Sequence, residues 1–194
     1  MVELQCAEWL EEQGWTISGL EVFREGPDIE AVTESLELTA FEVKFIGQHD
    51  TCFARVVNSL KGEDGGVLLS PYGAANFLLF RAYEAAKQLQ RSVATSRIAV
   101  IVIDEITWFT FKIPLKDRWI DWRNPAFTAG NDPFIDEQRK ANTNLDAELK
   151  RVLGGIDSVW IMKRVEGYHY VREFDITMLP HESNQGPVFT SIGD

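Results

Sequence analysis

The segment from Gly26 to Phe45, GPDIEAVTESLELTAFEVKF, decides how the first part of this chain folds. Its last five residues, FEVKF, alternate apolar side chains with Glu42 and Lys44, and a period of two predicts a β-strand. Side chains two positions apart in a strand share a face, so Glu42 and Lys44 point the same way. Both faces of this strand are mostly apolar. Charges in such a setting need a partner, a metal or a substrate, which makes this pair the first candidate site.

Asp28 opens the neighbouring strand, where the preceding proline restricts the backbone. The pattern predicts strands at Asp28–Val32 and Leu36–Ile46, joined as a hairpin or meander. If these strands pair, Asp28 and Glu42 come together beside Lys44. Two alternatives remain open: Asp28 is a turn former after proline, and Glu42 and Lys44 are an ordinary surface pair.

The rest of the chain predicts an α/β or α+β domain with a mixed central sheet flanked by helices. Helices are expected at 2–13, 51–61, 74–91 and from Asp132, the expected N-cap, to about residue 153. Further strands are expected at 15–24, 67–69, 97–104 and 107–113, and in a closing hairpin of 158–163 with 168–174. The length of 194 residues predicts a single domain, residues 1–194. Within it we expect a core at 1–104, a C-terminal elaboration at 105–180 and a flexible tail at 181–194.

Composition narrows the class of protein. The chain is 45% hydrophobic and 25% charged, which is typical of a soluble globular protein. No apolar run reaches the ~18 residues of a membrane span, and no signal peptide is visible. Cys6 and Cys52 lie in apolar contexts without the spacing of metal ligands. These features predict a cytoplasmic protein with reduced cysteines and no membrane partner.

Charge is unevenly distributed along the chain. The net charge is −11, and residues 1–50 hold 12 acidic and 2 basic side chains. This balance argues against binding nucleic acid by net charge alone. A site built from several carboxylates repels phosphate until a divalent cation neutralises it. A solvated acidic face explains the same excess equally well.

Taken together, these features resemble the PD-(D/E)XK nuclease superfamily, whose fold is shared with many restriction endonucleases and Holliday-junction resolvases. The match is Pro27-Asp28, thirteen intervening residues, and then Glu42-Val43-Lys44. The helix at 2–13 is similar to the family's N-terminal helix, which often carries a glutamate in the position of Glu3. The resemblance covers residues 1–46 and the order of elements as far as Asp104. It implies a restriction-endonuclease-like core, to which the pattern of the remaining chain adds a C-terminal helix and β-hairpin.

The resemblance also implies a function. It implies a nuclease that depends on Mg²⁺ or Mn²⁺ and hydrolyses phosphodiester bonds, with DNA favoured over RNA as the nucleic acid. Asp28 and Glu42 would be metal ligands, the backbone carbonyl of Val43 a third, and Lys44 an electrostatic or water-orienting group. Glu3 would be an outer ligand or an orienting residue. A homodimer is compatible with this reading, because cutting both strands usually needs two sites.

Several assignments stay open. Glu30, two residues after Asp28, either assists a second metal ion or is an exposed strand carboxylate. Many family members carry a glutamine on the helix after the lysine strand, but Gln48 comes too early and Gln88 and Gln90 come late in a later helix. This departure, with the acidic balance, favours an inactive module that serves in binding or assembly. A third alternative is an unrelated α/β protein.

Basic residues flank the proposed site in the sequence. They are candidates for contacts to substrate phosphates, although a solvated helix face explains each of them singly. These residues are Arg55, Lys61, Lys87, Arg91 and Arg97.

Overall fold

The computed structural model describes residues 2–20, 26–34, 36–47, 71–116, 120–122, 124–127, 132–164, 175–178 and 188–191. The helices and strands in chain order are α1 (Val2–Glu12), β1 (Thr16–Leu20), β2 (Ile29–Val32), β3 (Leu38–Ile46), α2 (Pro71–Leu89), β4 (Ser96–Asp104), α3 (Glu105–Lys116), α4 (Pro133–Ala141), α5 (Leu145–Leu153), β5 (Ser158–Arg164), β6 (Asp175–Met178) and β7 (Val188–Ser191).

A five-stranded mixed sheet forms the centre of the protein, in the order β1-β2-β3-β4-β5. The strands β1, β2 and β3 pair antiparallel, whereas β4 lies parallel to both β3 and β5. Parallel neighbours need long crossovers, and helices lie between β3 and β4 and between β4 and β5 in the chain. The predicted α/β class, with a mixed sheet and flanking helices, is therefore confirmed. The strands β6 and β7 form a separate antiparallel pair.

The two faces of the sheet build two apolar clusters. On one face, Phe41 and Val43 of β3 pack with the buried side of α1, including Trp9. On the other face, Ala40 and Ile46 of the same strand pack with α2, α3 and α5. Strand β3 therefore alternates between the clusters as the sequence predicts, and Glu42 and Lys44 belong to the α2 face.

Two expectations for the C-terminal half are wrong. Residues 107–113, expected as a strand, lie in α3, where the Asp104 carboxylate accepts a hydrogen bond from the Thr107 backbone N–H at 2.6 Å. The single long helix expected after Asp132 is two helices, α4 and α5. Asp132 caps α4 as predicted, but Asn142 ends that helix, and its side-chain oxygen accepts the N–H of Asn144 at 3.0 Å.

Some expectations lie partly or wholly outside the described residues. These are the helix at 51–61, the strand at 67–69, residues 168–174 of the closing hairpin, and most of the tail at 181–194. Within that tail, Val188–Ser191 form β7. None of the helices in the described part is long and apolar enough to cross a membrane.

Candidate active site

The site lies where β2 and β3 part. Among the described residues, their antiparallel register extends no further than the pair Ile29 and Phe41. One residue beyond that pair, Asp28 replaces strand pairing with a side-chain contact, because its Oδ2 accepts the backbone N–H of Val43 at 2.7 Å. This hydrogen bond fixes the Asp28 carboxylate against the backbone of β3, at the residue that follows Glu42. The structure thus brings together the two carboxylates that the sequence singled out.

Glu42 is buried in the middle of β3, where it is 1% exposed. Its Oε1 accepts a hydrogen bond from Lys44 Nζ at 2.6 Å, and the Lys44 side chain is 20% exposed. Its other oxygen, Oε2, is also buried and accepts no hydrogen bond from the described residues. A buried carboxylate oxygen without a donor is costly, so Oε2 of Glu42 is an acceptor open to a ligand.

The electrostatics of Glu42 follow from this setting. The pKa of Glu42 is raised from its ordinary value of 4.5 to about 7, mainly by burial and also by the neighbouring charge of Asp28. Lys44 and a hydrogen bond from the Asp28 backbone act in the opposite direction. Because the charge of Asp28 raises the proton affinity of Glu42, a cation bound between the two carboxylates would remove a repulsion.

Lys44 has a second partner that the sequence did not assign. Its Nζ donates a hydrogen bond to Oε1 of Gln88, on the last turn of α2. Gln88 thus reaches Lys44 although it lies at the end of the helix. Helix α2 packs on the same face of the sheet as the Lys44 side chain, so the residues meet although 44 positions separate them. The presence of Gln88 near the end of the predicted helix was visible in the sequence. Its contact with Lys44 could not be predicted, because that contact depends on how α2 packs on the sheet.

The proposed third ligand is compatible with the geometry of β3. The N–H and C=O of one strand residue point to the same side, so the Val43 carbonyl lies on the side where Asp28 accepts the Val43 N–H. The donor set would be two carboxylates and a carbonyl, which are oxygen ligands of the type that Mg²⁺ and Mn²⁺ prefer. The vacant Oε2 of Glu42 fits such an ion. Among the described residues, no three His, Cys, Asp or Glu side chains gather into a metal-binding group.

Glu30 and Glu3 therefore do not complete a three-carboxylate group with Asp28 and Glu42. Glu30 is half-buried in β2 opposite Ala40, and a side chain at Gly19 of β1 would lie 3.5 Å from its Oε2. It thus lies over β1, away from the edge where Asp28 contacts β3.

Glu3 is exposed on α1, whose buried side packs on the sheet face opposite to Glu42. The charges of Glu3 and Asp28 both act on Cys6. Burial, the charge of Asp28 and then that of Glu3 raise the pKa of Cys6 to about 12. Cys6 is a buried, unpaired thiol, as predicted, and a thiol with this pKa is not a nucleophile near neutral pH. Cys52 lies outside the described residues.

The chain was compared with known proteins on the basis of its sequence. No model of a protein family matches it, and no curated protein matches it significantly.

Proposed function

We propose that this protein is a metal-dependent nuclease that hydrolyses phosphodiester bonds in nucleic acid, with DNA favoured over RNA. The observation that carries the proposal is the buried Glu42 Oε2, which lacks a hydrogen-bond donor in the described part of the protein, one residue before the Val43 N–H that holds the Asp28 carboxylate. The PD-(D/E)XK resemblance supplies the reaction class, since Asp28, Glu42 and Lys44 match its motif.

In this proposal each group of the site has a distinct role. Asp28 and Glu42, with the Val43 carbonyl, hold Mg²⁺ or Mn²⁺. The bound ion supplies charge neutralisation at the scissile phosphate and a water of lowered pKa. Lys44 places a positive charge beside the carboxylates, where it stabilises the negative charge that develops on the phosphate oxygens. Gln88 keeps the Lys44 ammonium group on the α2 side of the site through the hydrogen bond that it accepts.

The proposal is tested with three variants and two readouts, metal-induced thermal stabilisation and cleavage of plasmid and single-stranded DNA. Asp28→Asn keeps an acceptor for the Val43 N–H but removes the charge, so it should abolish both the Mg²⁺-induced rise in Tm and the cleavage. Lys44→Met should keep the Mg²⁺-induced rise and lower the cleavage rate by roughly 10²- to 10³-fold. Glu37→Gln removes an exposed carboxylate from the β2–β3 turn and should change neither readout.

Measuring the Mg²⁺-induced rise in Tm and the cleavage rate for each variant distinguishes a loss of metal binding from a loss of catalysis. Cleavage by Asp28→Asn at the parental rate would contradict the assignment. A parental Tm response in the same variant would show that the ion binds elsewhere.

A second candidate function is a catalytically inactive module for binding or assembly. It is favoured by the hydrogen bonds of Lys44, which donates to both Glu42 and Gln88 and so forms a set that a structural role also explains. The acidic balance of residues 1–50 points the same way. If the parent protein shows neither a metal-induced Tm shift nor cleavage of DNA or RNA, this candidate replaces the nuclease.

A further inference from the structure

The basic residues singled out in the sequence differ in whether other groups of the protein already bind their charged ends. Lys87 of α2 lies 3.9 Å from Glu148 Oε1 and over the ring of Tyr83. The guanidinium group of Arg97 donates to the backbone carbonyls of Gly155 and Ser92. Both cations therefore already have structural partners.

Arg91 has a different environment. It is exposed, directly after the end of α2, and no ion pair or side-chain hydrogen bond ties it to the rest of the described protein. Its position is nevertheless fixed, because its backbone N–H donates to the carbonyl of Gln88 at 3.1 Å. The exposed charge of Arg91 is therefore attached to a backbone segment that a hydrogen bond holds in place.

The same backbone bond places Arg91 close to Gln88 in space. A bond from a residue to the third one before it is the 3₁₀ pattern, in which the two side chains eclipse each other. Arg91 therefore lies about one turn of backbone beyond Gln88, at roughly 6 Å along the axis. Gln88 contacts Lys44, so Arg91 lies one turn of backbone beyond a residue that reaches the candidate site.

We infer that Arg91 binds a second phosphate of the substrate, next to the one that reacts at Lys44, and that the substrate is therefore a polynucleotide strand lying along the last turn of α2. This inference rests on the proposed function. The carbonyl end of a helix repels phosphate, and an arginine at this end offsets that repulsion. A small phosphodiester has a single phosphate, which occupies the position at Lys44 and does not contact Arg91.

The experiment compares two substrates with Mg²⁺ present: a single-stranded DNA oligonucleotide and bis(p-nitrophenyl) phosphate, which has one phosphate. Arg91→Gln should raise the KM for the oligonucleotide several-fold and reduce the slope of log(kcat/KM) against log salt concentration by ~1. It should leave hydrolysis of bis(p-nitrophenyl) phosphate unchanged. Lys140→Gln is the matched control, since Lys140 is an exposed cation in the last turn of α4, and it should affect neither substrate.

The outcomes separate this inference from the proposed function. If the parent protein hydrolyses neither substrate, the nuclease proposal fails and the role of Arg91 fails with it. If the parent cleaves the oligonucleotide but Arg91→Gln behaves like Lys140→Gln, the second phosphate position is wrong while the nuclease stands. An equal loss on both substrates would mean that Arg91 acts through the structure of the site, and this too would overturn the inference.

Discussion

At the scale of single residues, Glu42 dominates the energetics of the site because it is both buried and acidic. Its pKa in the folded protein is about 7, against an ordinary value of 4.5. The folded state therefore binds a proton more tightly than the unfolded state between these two pH values. This group contributes stability that is fully present below pH 4.5 and is lost as the pH rises to about 7.

We expect Glu42→Gln to flatten the pH dependence of stability. On going from pH 4.5 to 7 the parent should lose about 3 kcal/mol of unfolding free energy through this group, whereas a neutral glutamine of the same shape has no proton to lose. Urea unfolding at several pH values measures the difference. The control is Glu148→Gln. Hydrogen bonds from Tyr83 and then Asn142 lower the pKa of Glu148, so this variant should lose stability at neutral pH and less at acidic pH. A parental slope in Glu42→Gln would contradict the prediction.

The sequence predicted these residues because their relation is local. A period of two places Glu42 and Lys44 on one face whatever surrounds the strand, and pairing of adjacent strands brings Asp28 to them. The unpaired Oε2 and the raised pKa of Glu42 could not be predicted from the sequence. Both depend on which residues cover the face of β3 that carries Glu42.

At the scale of secondary-structure elements, α2 determines how the site is completed. The helix runs from Pro71 to Leu89, and its last turn delivers Gln88 to Lys44. The docking of α2 is secured away from the site by Tyr83, whose hydroxyl donates to Glu148 Oε1 at 2.7 Å. The helix therefore links the packing of α5 to the orientation of the lysine.

We expect Gln88→Ala to lower DNA cleavage by roughly 10- to 100-fold, the range typical of residues that orient groups in an active site. The lysine would lose one of its two partners, while Tm should change little because Gln88 is exposed. Gln90→Ala is the matched control, since Gln90 is an exposed glutamine two positions further along and is expected to retain parental cleavage. Steady-state cleavage assays and thermal unfolding measure both effects. Equal rates for the two variants would show that Gln88 does not position Lys44.

Element boundaries were predictable where a capping residue or a glycine marks them, as at Asp132 and Gly154. Helix α3 was not predicted because its residues are β-branched and aromatic, which favours a strand. Its hydrogen bond from Thr107 to Asp104 and the spacing of buried Thr107, Trp108 and Phe111 favour the helix instead. Tertiary contact with the α2 face outweighs the local propensity.

At the scale of the whole molecule, one sheet supports two apolar clusters. Successive residues of β4 serve both, with Val100 in the α1 cluster and Ile101 in the α2 cluster. If the strands beneath one cluster unfold, the apolar side chains of the other cluster become exposed as well. The α/β class could be predicted from the order of helices and strands in the sequence. The order of the strands in the sheet could not, because a crossover of known length can place a parallel strand on either side of the preceding strand.

The shared sheet predicts that damage to either face propagates to both. Leu10 on α1 and Leu149 on α5 are each 0% exposed and lie in opposite clusters, so Leu10→Ala and Leu149→Ala are matched substitutions. Each should cost about 2–5 kcal/mol of unfolding free energy, through lost apolar burial and the cavity left behind. Fluorotryptophan NMR during urea titration would follow Trp160 in the α1 cluster and Trp108 in the α2 cluster separately. We expect both signals to share one midpoint in each variant, because the strands beneath them are the same. Two midpoints in either variant would show that the faces unfold independently, and the sheet would then not transmit the packing of α5 to the strand that carries Glu42.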